Sequence, residues 1–203
     1  MALVVFTGGA RSGKSAAAQD LARRKALDGS LVTALVFGLV EGDSEMARRV
    51  EHHQAQRPDE FELVEAGDSH TALELVRSGS LLLLDCLGTL VGMVMAEEWP
   101  GVSLGHELID AGTSLPDGYV EAVEARVGSL VLALTRRAGD TIVVTNEVGD
   151  GVVPAHGSGR LFRDVLGRAN RELVAVADAS YLVVCGRLVE LSSLPMSSAW
   201  PED

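Results

Sequence analysis

The sequence predicts a three-layer α/β fold with a mostly parallel central sheet, and three observations carry that prediction. The stretch Gly8-Gly9-Ala10-Arg11-Ser12-Gly13-Lys14-Ser15 fits G-x-x-x-x-G-K-[ST] at every defined position, directly after an apolar run and directly before a helical one. Strand-length apolar runs then alternate with stretches of helical spacing along most of the chain. Several of those runs are continuously apolar rather than alternating, as in strands that helices cover on both faces.

Taken in order, Leu3-Val4-Val5-Phe6 is the first strand and the alanine-rich segment from Ser15 the first helix. The run 31–37 is a second strand, ending at Gly38-Leu39. Asp43-Ser44 is an N-cap for a helix reaching about Gln56, where Pro58 acts as a stop. Phe61-Glu62-Leu63-Val64 predicts a short strand, 70–77 a helix, and Leu81-Leu82-Leu83-Leu84-Asp85 a central strand. A helix over 87–98 precedes a Gly-, Pro- and Ser-rich segment, 99–117, long enough to read as a functional or disordered loop. Helical spacing returns at Val120, Val123, Val127, Leu130, Val131 and Leu134 and spans 119–137. The remaining elements are a strand over 141–145, a helix over 158–177, and a hairpin in which 181–185 turns through Gly186-Arg187 into 188–191.

At 203 residues and 47% hydrophobic content, the chain is expected to form one domain over 1–191, with a frayed polar tail over 192–203. A net charge of −12 argues against a general nucleic-acid binder, although Arg11, Lys14, Arg48, Arg49, Arg57, Arg160, Arg163 and Arg168 fall in or near the motifs and suit a local anion site. Cys86 and Cys185, far apart and each in an apolar run, read as reduced core residues, which points to the cytoplasm. Residues 1–10 show no leader pattern and no apolar run is of membrane-spanning length, so neither export nor a membrane span is expected.

In a parallel α/β sheet, ligands collect at the carboxyl ends of the strands. There the glycine-rich stretch would turn its amides towards phosphates, Lys14 would meet the β and γ phosphates, and the Ser15 hydroxyl would bind Mg²⁺. Asp85, after four leucines, is the expected second magnesium partner, with a helix N-cap as the alternative. Asn146-Glu147 ends the strand from Thr141 and fits a cap or turn as readily as a substrate contact. Arg48 and His52 share a helix face at i, i+4, which suits either an anion site with a reactive imidazole or an exposed polar face. Arg160 and Arg163 fit a second phosphate or surface salt bridges equally.

These motifs together resemble the bifunctional adenosylcobinamide kinase / adenosylcobinamide-phosphate guanylyltransferase family of cobalamin biosynthesis. The resemblance runs from Thr7 to about Leu191. It rests on Thr7 with the glycine-rich stretch, Glu45-Met46-Ala47-Arg48-Arg49-Val50-Glu51-His52-His53 with Arg57-Pro58, Leu84-Asp85-Cys86-Leu87, Thr145-Asn146-Glu147-Val148-Gly149 with Gly151-Val152-Val153-Pro154, and Gly159-Arg160-Leu161-Phe162-Arg163-Asp164 through Asn170 to Ala177-Asp178. It implies a RecA-like phosphate-loop NTPase fold and a small homo-oligomer. It implies phosphorylation of adenosylcobinamide by ATP or GTP, then transfer of GMP from GTP to adenosylcobinamide phosphate through a GMP-histidine, with His52 as the matching histidine. By the same matching, nucleotide contacts fall on Gly8, Gly9, Ala10, Arg11, Ser12, Gly13, Lys14, Ser15, Phe37, Gly38, Leu39, His53, Gln54, Ala55, Gln56, Glu65 and Asp85. The chain departs from the family at Phe37-Gly38-Leu39, at Phe61, and at Gly88-Thr89-Leu90. The competing expectations are a phosphate-loop kinase without a covalent intermediate and a GTP-binding regulatory protein without turnover.

Overall fold

The computed structural model describes residues 1–37, 60–100 and 114–195. Its sheet has the order β3-β2-β4-β5-β1-β6-β7, formed by β1 (Leu3–Thr7), β2 (Val32–Phe37), β3 (Glu62–Ala66), β4 (Leu81–Asp85), β5 (Thr141–Val144), β6 (Ala179–Val184) and β7 (Arg187–Glu190). All neighbouring pairs are parallel except β6 with β7. The helices among the described residues are α1 (Lys14–Leu27), α2 (Leu87–Glu97), α3 (Tyr119–Arg136) and α4 (Gly157–Val176).

The period-two alternation of a strand divides the sheet residues between two cores. Leu3, Val5, Leu35, Leu82, Leu84 and Val143 pack with the apolar faces of α2, α3 and α4. Phe6, Ala34, Leu81, Leu83, Ile142 and Val144 pack with Ala18 and Ala22 of α1. Both faces are covered, which is why β4 reads as an unbroken leucine run. Each of its leucines is at most 4% exposed, and burying one contributes roughly 2 kcal/mol. The same alternation puts Asp85 in line with Leu81 and Leu83, on the face that α1 covers.

Three expectations are corrected. Residues 70–77 form a succession of turns rather than a helix. Asp68 accepts from the amides of His70 and Thr71 and from the Thr71 hydroxyl, closing a local turn, and Arg126 and Glu97 hold Ser69 from outside the segment. So short a stretch, ending at Ser78-Gly79, gains more from these bonds than from an isolated helical turn. Cys185 is exposed, not in the core, because it forms with Gly186 the two-residue turn between β6 and β7. Their φ values of 50° and 74° are those a tight hairpin turn of this twist requires, and they shift the turn one residue ahead of the expected Gly186-Arg187. Cys86 is half-buried, and both thiols are free. The predicted helix to Gln56 and most of the 99–117 segment lie outside the described residues. Of that segment, Trp99 meets the Tyr119 ring edge-on, with centroids 4.9 Å apart. The start of the tail, 192–195, is mostly exposed, and the rest lies outside the description.

Candidate active site

The loop between β1 and α1 is held in shape from three sides. Gly8 has φ 151°, and a Cβ there would come 2.5 Å from the Val183 carbonyl oxygen of β6, so no other residue fits without displacing backbone. Gly13, at φ 97°, is the left-handed residue from which α1 starts. The Glu147 amide donates to Gly8 O at 3.0 Å, and the Gly186 amide donates to Ser12 O at 2.8 Å. Arg11, at φ 57°, is exposed, as are Gly9 and Ala10. Buried inside the loop, the Ser12 hydroxyl has no hydrogen-bond partner. Such a loop, ending at a helix N-terminus, is an anion cradle.

Lys14 is 7% exposed and lies over the loop, with Nζ donating to Gly9 O at 3.0 Å. Burial holds its ammonium below the ordinary value, while Cys86 and Asp85 pull the other way. The Ser15 hydroxyl donates to Asp85 Oδ1 at 3.2 Å, and Asp85 Oδ2 is buried without a partner. A buried carboxylate oxygen left unpaired is costly unless something cationic meets it. An orphaned oxygen beside a hydroxyl is the donor set of a hard divalent cation such as Mg²⁺, so Ser15 and Asp85 fit that ion. The N-cap alternative for Asp85 does not hold, because Cys86 occupies that position of α2. Burial pushes the Cys86 thiol up, and its Sγ lies 3.2 Å from Thr89 Oγ1, so it is inert rather than a ready thiolate.

Beyond β5 the chain is pinned by a residue that motif reasoning did not single out as part of the site. Asn170, buried on α4, accepts from the Thr145 hydroxyl at 2.6 Å and donates to Asn146 O at 3.0 Å. Its sequence signals were a polar residue on the apolar face of a helix and its place in the motif that runs from Gly159 to Asp178. Gly88 lies opposite, where a Cβ would be 3.3 Å from Asn146 Nδ2.

The structure thus brings Gly8 to Ser15 together with Asp85, and it brings Glu147 beside them. Phe37 stands at the carboxyl end of β2 but is 3% exposed and packed in the core, so only its backbone faces that edge. Glu65 is exposed on the edge strand β3, separated from β1 by β2, β4 and β5. Arg160 is committed to Pro154 O and Ala155 O, and Arg163 pairs with Asp164, which favours the structural role for both. Gly38, Leu39, His52, His53, Gln54, Ala55 and Gln56 lie outside the described residues.

Three comparisons bear on this arrangement. The family model described as CobU, cobinamide kinase / cobinamide phosphate guanyltransferase, matches residues 4–191. The bifunctional adenosylcobalamin biosynthesis protein CobU of Escherichia coli (strain K12) is 34% identical over 191 residues, covering 91% of this chain and 96% of its own length. Its Salmonella typhimurium counterpart of the same name is 30% identical over 195 residues, covering 91% and 96%. The bifunctional adenosylcobalamin biosynthesis protein CobP of Pseudomonas aeruginosa is 31% identical over 194 residues, covering 95% and 98%. Among solved structures, a chain from a structural project on Pyrococcus horikoshii OT3 overlays with a TM-score of 0.46 at 8% identity, covering 96% of this chain and 88% of that one.

Proposed function

Since the chain belongs to the cobinamide kinase / cobinamide phosphate guanyltransferase family, a bifunctional enzyme group of cobalamin biosynthesis, we propose that it carries out both transfers with one nucleotide site built on Gly8 to Ser15. In the first, ATP or GTP phosphorylates the hydroxyl of the aminopropanol arm of adenosylcobinamide. In the second, GMP passes from GTP to adenosylcobinamide phosphate, giving adenosylcobinamide-GDP and pyrophosphate. The observation that carries this reading is the meeting of buried Lys14 with the Ser15–Asp85 pair at the carboxyl edge of the sheet.

The loop amides and Lys14 bind the phosphates and offset the charge that builds on them as a P–O bond breaks. Ser15 and Asp85 would hold Mg²⁺, which supplies charge neutralisation across the phosphates when bound. Phe37, Gly38, Leu39, His53, Gln54, Ala55, Gln56 and Glu65 are assigned to the nucleotide by motif. His52 is assigned as the nucleophile on the same ground: its imidazole attacks the α-phosphorus, pyrophosphate leaves, and an oxygen of the cobinamide phosphate then displaces the histidine. This division of one displacement into two needs a neutral imidazole at physiological pH, which histidine supplies. In this reading the protein works in the cytoplasm as a homo-oligomer. No helix among the described residues is long and apolar enough to cross a membrane.

The test is intact-mass analysis after incubation with α-labelled GTP and Mg²⁺. A GMP-sized, acid-labile adduct on wild type that is missing from His52→Ala is the expected result. Wild type that binds GTP but forms no adduct would sink the covalent route and leave a kinase without that intermediate.

A further inference from the structure

We propose that Glu147 is the catalytic base of the kinase half-reaction and that the guanylyl transfer does not need it; the inference rests on the reading of Gly8 to Ser15 and Asp85 as the nucleotide site.

The strand order carries the argument. β5 lies between β1, which leads into the phosphate loop, and β4, which ends in Asp85. Val144 is in register with Phe6 on one side and with Asp85 on the other. Whatever follows Val144 therefore leaves the sheet between the loop and the carboxylate. Past the last paired residue the chain keeps following β1, with the Thr145 amide on Phe6 O at 2.9 Å and the Glu147 amide on Gly8 O at 3.0 Å. Asn170 clamps the intervening Asn146 carbonyl, so the position of Glu147 is built in rather than left to a free loop.

The carboxylate itself is half-committed. Glu147 Oε1 accepts from the Gly149 amide at 2.8 Å, which orients the group, and among the described residues Oε2 has no partner. Asp85 also has one open oxygen, but the proposed cation takes it up, Asp164 pairs with Arg163, and Glu65 stands on the far edge strand. A carboxylate with one oxygen held and the other open, on a residue whose backbone is bonded to Gly8, can take a proton from a hydroxyl brought to the γ-phosphorus.

In the step, the acceptor O–H proton passes to Glu147 Oε2 as its oxygen bonds to the γ-phosphorus. The bond from that phosphorus to the β,γ-bridging oxygen breaks, and the nucleoside diphosphate leaves with that electron pair. Glu147 returns the proton to solvent after product release. The acceptor in the second reaction is different in kind. It is a phosphate monoester, whose oxygens are largely ionised at neutral pH because its second pKa is near 6, so no base is required.

The experiment assays the purified full chain for both reactions separately, supplying adenosylcobinamide with ATP in one and adenosylcobinamide phosphate with GTP in the other. Glu147→Gln is expected to lower the kinase kcat by about 100-fold or more, with KM for ATP and the guanylyl transfer rate each within about three-fold of wild type. Glu147→Asp, which keeps a carboxylate, is expected to recover part of the kinase rate. Unchanged kinase turnover in Glu147→Gln would overturn the proposal, and so would an equal fall in both activities, which would mark Glu147 as structural. Wild type without either activity would instead overturn the underlying reading of the site, and the assignment with it.

Discussion

The amide of Gly186 donates to the carbonyl of Ser12 at 2.8 Å, tying the tip of the terminal hairpin to the middle of the phosphate loop. β6 reinforces the contact, since the Val183 carbonyl closes on Gly8. The last two strands therefore help to shape the glycine-rich loop proposed to hold the nucleotide, although no residue of theirs carries a phosphate-binding motif.

Replacing Gly13 tests that brace. A Cβ at Gly13 would lie 3.2 Å from Gly186 Cα, at a φ of 97° that other residues rarely adopt. Gly13→Ala is expected to cost about 1–2 kcal/mol in stability and to raise the nucleotide KM about ten-fold. Thermal denaturation and steady-state kinetics on the same preparation check both.

Ser15 and Asp85 are expected to act as one unit. Ser15→Ala and Asp85→Asn should each lower turnover by about 100-fold or more, and the double variant should be little worse than either, since both remove the same cation site. Titration with Mg²⁺ should show weakened dependence in each single variant. Additive losses would show that the two groups serve separate ends.

Lys14→Met should abolish turnover and remove a pH dependence of stability. Lys14 is buried, and burial lowers its pKa below 10.5. The unfolded chain therefore binds more protons between the folded value and 10.5, so wild-type stability rises with pH in that window. The variant lacks that rise. Denaturant unfolding at two pH values measures it.

Asn170→Ala removes the partner of the Thr145 hydroxyl, which is fully buried. The expected cost is about 2–3 kcal/mol. Thr145→Val in the Asn170→Ala background should recover part of it, since no orphaned hydroxyl then remains, and a double-mutant cycle reads the coupling.

Tyr119 gives the fold an alkaline limit. Its hydroxyl donates to Met95 O at 2.6 Å, and burial, with Glu98 nearby, pushes it from 10.0 up to about 12. A raised pKa means the folded state holds the proton longer than the unfolded one. Stability therefore falls as the pH rises from 10 towards about 12. Tyr119→Phe should lose about 1 kcal/mol at neutral pH and show a flatter stability profile over that range.

Much of the architecture is legible in order. β1, the phosphate loop, α1 and the leucine run ending in Asp85 are local signals, because a backbone cradle needs glycines and a doubly covered strand needs unbroken apolar residues. The 70–77 segment misled because its apolar spacing is helical while Asp68 offers the backbone nearer partners. Cys185 misled because an apolar run does not reveal which of its residues forms the turn.

By itself the sequence determined the layered α/β class, the glycine-rich loop that leads into α1, and the acid that ends a central strand, since each is encoded by contiguous residues. Only the tertiary structure decided what stands next to that loop. Strand order puts the Glu147 amide on Gly8, brings Gly186 onto Ser12, and leaves three strands between Glu65 and β1. Hydrogen bonding between strands far apart in the chain fixes those neighbours, and no local pattern of residues carries that information.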